Sequence, residues 1–298
     1  MVILHIDTGA QMRGGQWQAF YLLRGLVEAG HRVRLLAPGG SPLLEAALSQ
    51  QMDARRLHWP ALPGALAGAD LVHAHDAHAH TLAAFFAKPL VVSRRVAFPI
   101  GRGWPSRWKY RRAAHFLAVS ECVKGELLDA GIPADRISVV YDGVPAPPEE
   151  AADARTQVIA LDSEDPGKGK RMVEHAAELA GVPVHFSRNL PRDLPRAALF
   201  VYITDSEGLG SAALLAMAYG APVLASRVGG LAEVVQDGVT GLLTGNRPEE
   251  IARGMQHLLS DRAMAGRMAA RARVRVEKEF SISRMVSGTL RVYERILS

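Results

Sequence analysis

The sequence predicts an α/β protein made of two doubly wound halves, each with its own parallel sheet. Three observations carry this expectation. Short apolar runs recur along the chain, each followed by a glycine or polar turn and then a helical pattern, the rhythm of repeated βα units. The run from Ala197 to Ile203 (AALFVYI) is continuously apolar, as a strand buried on both faces of a parallel sheet must be. Between two such alternating sets lies GVPAPPEEAADAR, residues 143–155, where prolines and the acids Glu149, Glu150 and Asp153 interrupt both periodicities.

The first set opens with VILHID at residues 2–7, a strand, then a loop from Thr8 to Gly15 and a helical pattern from Gln16 to Glu28 that Gly30 ends. HRVRLLA at residues 31–37 is the next strand, so the chain begins with a βαβ unit. Further strands are expected at 71–74, 90–93, 116–119 and 137–140. Residues 143–155 read as a linker, giving an N-terminal domain of residues 1–146 and a C-terminal domain of residues 147–281. In the second set, strands are expected at 157–161, 182–186, 198–203, 222–225 and 241–243. From Pro248 onward the pattern is helical, with a basic amphipathic stretch from Asp261 to Phe280. A last helix, about 282–298, is expected to pack back onto the first domain.

With 298 residues and 48% hydrophobic composition, the chain can bury substantial cores. No apolar run approaches the ~20 residues that span a bilayer. MVILHIDTG opens as a strand rather than a basic, cleavable leader, so a cytoplasmic location is expected. The single cysteine, Cys122, rules out an internal disulfide and a cysteine-rich metal centre. A formal net charge of +5 favours anionic partners without choosing among them.

The most informative stretch is DSEGLGSAALLAMAYGAPVLASRVGGLAE, Asp205 to Glu233. It places a glycine loop between the 198–203 strand and a helix. Gly208 and Gly210 let the backbone turn and approach a ligand, Ser211 is expected to cap the helix, and Gly220 to stop it. Strand, loop and helix start together aim free N–H groups and a positive dipole end at one point, which suits a phosphate. Glu207 stands beside that point, where a carboxylate suits hydroxyls on a neutral part of the same ligand. A phosphate joined to a polyol describes a nucleotide sugar.

Other motifs are weaker. Gly14-Gly15 follows the first strand and permits close approach of a ligand, although the dinucleotide fingerprint is absent. HAHDAHAH at residues 73–80 brings His73, His75, His78 and His80 together, but Asp76 and Ala77 break the spacing of a binuclear metal motif, so no metal is expected. Lys168 and Lys170 lie in a glycine-containing loop placed to neutralise a diphosphate, or are solvated lysines; the P-loop pattern is missing. Arg94-Arg95 ends a strand. Arg102 to Arg112 (RGWPSRWKYRR) mixes cations with Trp104, Trp108 and Tyr110, fitting an anionic acceptor, a membrane interface, single-stranded nucleic acid or a solvated loop.

RGGQ at 13–16, DLVHAHDAHAH at 70–80, the 117–144 stretch and EGLGSAALLAMAYGAPVLASRVGGLAEVVQDGVTGLL at 207–243 together resemble the retaining family 4 glycosyltransferases of the GT-B fold. The resemblance spans almost the whole chain. It implies two Rossmann-like domains facing a cleft, with a nucleotide sugar held mainly by the C-terminal one and an acceptor mainly by the N-terminal one. By this likeness, catalysis falls to Glu207, Lys168, His75 and Arg95. The donor falls to Gly14, Gly15, Lys168, Lys170, Glu207, Gly208, Leu209, Gly210 and Ser211, and the acceptor to Arg13, Asp76, Arg94 and Arg95. The implied reaction moves a sugar to an envelope glycan or glycolipid with retention, without metal or cofactor. Peripheral contact with anionic membrane is expected through Arg102–Arg112, and no nucleic-acid partner. Three departures stand out: Leu215 occupies the place of the family's second glutamate, Ser163 and Asp165 the places open to an arginine before the lysine, and Arg95 the place of a histidine. These departures motivate a rival expectation, a degenerate GT-B scaffold that binds without transfer. A nucleotide-sugar isomerase on the same fold is a third.

Overall fold

The computed structural model describes residues 1–86, 88–101, 103–147 and 155–298. Arg102 and the linker residues 148–154 lie outside them. The chain divides into two compact units, Met1–Gly143 with Ile282–Ser298, and Val144–Ser281.

The first unit holds a seven-stranded sheet: β1 (Val2–Ile6), β2 (Arg32–Ala37), β3 (Asp53–Arg56), β4 (Leu71–Ala74), β5 (Leu90–Arg94), β6 (His115–Ala118) and β7 (Ile137–Val139). All pair in parallel, in the order β3-β2-β1-β4-β5-β6-β7. The strand β3 was not expected from the sequence. DARR offers no apolar alternation because β3 is an edge strand with mostly exposed side chains. The first helix begins at Gly14 rather than Gln16 and buries Leu22, Leu23 and Leu26 against Ile3 and Leu35. Each such side chain contributes roughly 1.5–3 kcal/mol. The terminal helix Ile282–Leu297 packs Met285, Val286, Val292 and Tyr293 into the same core. A Cβ on Gly25 would stand 2.5 Å from Val286 Cγ2, so a glycine there sets how closely the two helices approach.

In the second unit, β8 (Gln157–Leu161), β9 (Val184–Ser187), β10 (Ala197–Tyr202), β11 (Val223–Ser226) and β12 (Leu242–Thr244) form a parallel sheet ordered β12-β11-β10-β8-β9. Strands β9 and β12 run one or two residues later than their apolar runs suggest. Leu199, Val201 and Leu224 pack under Val173 and Ala176 of helix Lys170–Ala180 and under Ile251, Met255 and Leu258 of helix Pro248–Ser260. Both sheets reverse their strand order once, between β1 and β4 and between β8 and β10. Such switch points leave a crevice at the carboxyl ends of the strands, where doubly wound proteins bind ligands.

The 104–112 stretch is a helix, Trp104–Arg112, with Pro105 in its first turn. Among the described residues no helix is long and apolar enough to cross a membrane.

Candidate active site

At the switch point of the second sheet, the chain leaving β8 turns through a short 3-10 helix, Pro166–Lys168, and a left-handed Gly169. The chain leaving β10 turns through the glycine loop. Their ends are bonded together: Asp205 N donates to Gly167 O at 2.9 Å and Thr204 Oγ1 to the same oxygen at 3.0 Å. Ser226 and Asn246 brace the far side, Ser226 Oγ accepting from Thr204 N at 2.9 Å and Asn246 Nδ2 donating to Thr204 O at 2.9 Å.

This frame brings Lys168 and Glu207 into contact. Lys168 Nζ donates to Glu207 Oε2 at 2.8 Å, and their side chains keep 26% and 17% of their exposure. Tyr202, the last residue of β10, donates its hydroxyl to the same Oε2 at 2.5 Å and accepts from Lys168 Nζ at 3.4 Å. Burial, and then the Glu207 charge, hold the Tyr202 hydroxyl well above its usual range, so it stays protonated and donates. Lys170 is turned elsewhere: it pairs with Asp162 at 2.7 Å, which also takes Arg188. The Lys170 and Arg188 hydrogen bonds hold the Asp162 carboxyl below its ordinary range.

The helix beyond the loop is Ser211–Ala218, and the sequence expectation for Ser211 is corrected here. Gly210 occupies the cap position at φ 107°, Ser211 is the first helical residue, and no side chain caps the first turn. Only glycine fits at 210, where a Cβ would also lie 2.4 Å from Leu231 Cδ2. The loop rests on a second glycine pair, with Gly230 N donating to Glu207 O at 3.0 Å. Gly208 and Leu209 are buried. Arg155 secures the helix's far end through a 2.6 Å bond to Tyr219 O. Leu215, one turn after Ser211, is half-buried, and the helix SAALLAMA carries no carboxylate.

The first unit's switch point gathers Asp7, the helix start at Gly14-Gly15, His75 and Asp76. Asp76 is committed internally: it accepts from Thr8 N at 2.6 Å, Thr8 Oγ1 at 2.7 Å, and His78 N and Ala79 N at 2.8 and 2.9 Å. Asp7 is buried, which raises its carboxyl above the usual range, and it holds Gly9 N and Gln16 Nε2. Arg13 is exposed at the helix cap position, bonded to Gln11. The Cβ position of Gly15 lies 4.0 Å from Arg95 Cδ. Arg95 Nε pairs with Asp142 at 3.1 Å, and its Nη1 approaches His75 Nδ1 at 3.4 Å. Arg94 points the other way, to Tyr110 OH and Phe98 O.

His75 Nε2 and His5 Nδ1 share a 2.8 Å hydrogen bond, while His73 Nδ1 meets Tyr293 OH at 2.5 Å and His73 Nε2 meets Ser93 Oγ at 2.8 Å. One potential ligand atom from each of His5, His73 and His75 lies within 4.8 Å of the others. A metal ion would have to displace several of these bonds beside the Arg95 guanidinium, which opposes it. Burial keeps all three imidazoles neutral, lowering His5 to about 3. Because Arg95 donates to His75, the proton order leaves His5 Nε2–H buried without a partner. Sequence reasoning missed His5 and Tyr202, each hidden within an apolar strand.

On the helix Trp104–Arg112, Lys109 donates to Ala77 O and Thr81 Oγ1, and Arg112 to Ala84 O and Phe86 O. Arg107, Arg111 and Trp104 remain exposed, Trp104 at 77%. Arg102 lies outside the described residues.

Residues 12–146 match the family described as Glycosyltransferase Family 4, and residues 167–275 the one described as Glycosyl transferases group 1. A D-inositol 3-phosphate glycosyltransferase of Salinispora arenicola is 36% identical over 138 residues, 43% of this chain and 31% of that protein. An alpha-maltose-1-phosphate synthase of Mycolicibacterium smegmatis is 35% identical over 122 residues, 39% of this chain and 31% of that protein. The chain thus spans about a third of the length of these curated relatives. Among solved structures, Anabaena HepE in complex with UDP and glucose superposes with a TM-score of 0.84 at 17% identity, covering 99% of this chain and 100% of that one. WaaG, a glycosyltransferase involved in lipopolysaccharide biosynthesis, superposes with a TM-score of 0.69 at 15% identity, covering 97% and 99%. These likenesses show the GT-B fold.

Proposed function

Because the chain belongs to the glycosyltransferases, matched in both its halves and built on the GT-B fold, we propose that it transfers a sugar from a nucleotide-sugar donor. The observation that carries this reading is the Lys168–Glu207 pair, 2.8 Å apart beside an uncapped helix start at a topological switch point. Lys168 and the N–H groups of residues 208–211 bind the diphosphate and take up the charge that develops on it as the glycosidic bond breaks. Glu207 accepts hydrogen bonds from sugar hydroxyls. Reaction proceeds with retention and without a metal, and the acceptor is an envelope glycan or glycolipid that meets Arg13 and Arg95 on the first unit, with the His75 ring beside Arg95. Asp76 and Arg94 shape that surface through the bonds they already make.

The test is release of free nucleoside diphosphate from uridine, guanosine and adenosine diphosphate sugars. HepE was solved with UDP and glucose, which makes uridine donors the first to try. Wild type is expected to turn over one donor, and Glu207→Ala to lower kcat/KM by about 100-fold or more, the scale of a lost transition-state contact. Turnover unchanged in Glu207→Ala rejects the site. Leu215 favours a second reading, a binding scaffold without transfer; saturable nucleotide binding with no turnover of any donor supports it.

A further inference from the structure

Two donors meet at Glu207 Oε2. Tyr202 donates at 2.5 Å, Lys168 donates at 2.8 Å, and Lys168 also donates to the Tyr202 oxygen at 3.4 Å, which closes a triangle. Among the described residues Oε1 has no partner. An ammonium group has three N–H donors, so Lys168 keeps one. The site therefore presents one carboxylate oxygen and one ammonium N–H side by side. That pattern matches a ligand in which a hydroxyl lies next to an anionic oxygen, as at the junction of sugar and phosphate.

Tyr202 is what fixes it. Its ring is 5% exposed and stacks on Phe200 with centroids 6.0 Å apart, so the hydroxyl has one direction to point. Without that bond the carboxylate is free to rotate and take Lys168 with both oxygens, and the sugar hydroxyl then competes with an ion pair. We propose that Tyr202 is a positioning residue that reserves Glu207 Oε1 for the donor sugar. This rests on the nucleotide-sugar reading above and adds a residue that does not touch the ligand.

The experiment is calorimetric binding of uridine, guanosine and adenosine diphosphates and of their glucose conjugates, to wild type and Tyr202→Phe. The expected result is selective: the dissociation constant of the bound glucose conjugate rises about tenfold, the scale of a lost hydrogen bond to a charged group, while that of its parent diphosphate stays within about twofold. In a Glu207→Ala background the same substitution is expected to change nothing further, because the two residues act as one unit. Equal weakening of both ligands, or no change in either, overturns the positioning role and leaves the functional reading standing. A wild type that binds no diphosphate or conjugate overturns both. Should Tyr202→Phe fold poorly, Tyr202→Leu, which also lacks the hydroxyl and suits an apolar strand, is expected to give the same selective loss; an unselective loss overturns the role.

Discussion

Glu207 and Lys168 satisfy each other in the free protein, so removing either is expected to act on binding more than on stability. The pair is partly exposed and contributes on the order of 1 kcal/mol or less. Lys168→Ala should leave the melting temperature within a few degrees of wild type while weakening nucleoside diphosphate binding about tenfold or more; unchanged affinity by calorimetry contradicts the assignment. The buried imidazoles set a second expectation. His5, His73 and His75 have native pKa values below their unfolded value near 6.5, so the unfolded chain binds more protons in acid. Stability is therefore full above about pH 6.5 and falls as pH drops below it, continuing toward about 3 for His5. For His5 alone the loss at pH 5 is about 2 kcal/mol. Thermal unfolding between pH 7.5 and pH 5 reads this directly, and a flat profile contradicts it. Glu207 and Lys168 were visible in the sequence because polar residues in a glycine loop stand out. Tyr202 and His5 were not, because a side chain inside an apolar strand reads as core until its hydroxyl or ring nitrogen is seen to have a partner.

The loop after β10 and the glycine pair at 229–230 form one element, since each backbone occupies space the other leaves. A Cβ on Gly230 would lie 2.1 Å from Gly208 O, and a backbone oxygen cannot move aside cheaply. Gly230→Ala should cost roughly 2–4 kcal/mol and displace the Glu207 loop. Denaturant unfolding and donor binding should fall together; a variant that keeps both contradicts the close packing. The terminal helix gives a parallel case through Tyr293, whose hydroxyl meets buried His73 at 2.5 Å. Tyr293→Phe leaves that nitrogen without its partner and should destabilise the protein by about 1–3 kcal/mol. The alternation of apolar runs made most strands legible, whereas β3 was not, because an exposed edge strand has no hydrophobic period to read. The start of the Ser211–Ala218 helix was misplaced for a related reason: a serine beside glycine signals a cap, but the left-handed turn here falls on Gly210 and moves the helix start to Ser211.

For the whole molecule, the formal charge of +5 fits an anionic donor and is expected to give weak binding to acidic membranes through Trp104, Arg107 and Arg111. Sedimentation with anionic vesicles at low salt should pull down wild type and less of a Trp104→Ala, Arg107→Ala, Arg111→Ala variant; no difference removes that contact. The two-sheet architecture was legible from repetition alone, and the glycine loop that carries Glu207 from one stretch within it. The bonds that commit Asp76 and Arg94 were not, because their partners Thr8, Phe98 and Tyr110 come from other elements. The central claim is that the second unit's switch point holds a nucleotide sugar between Lys168 and Glu207. A crystal structure with the preferred donor tests it most directly. The account predicts a phosphate oxygen within about 3 Å of Lys168 Nζ and a sugar hydroxyl at the same distance from Glu207 Oε1, with Tyr202 still on Oε2. A donor bound elsewhere, or one that leaves Lys168 and Glu207 untouched, would contradict it.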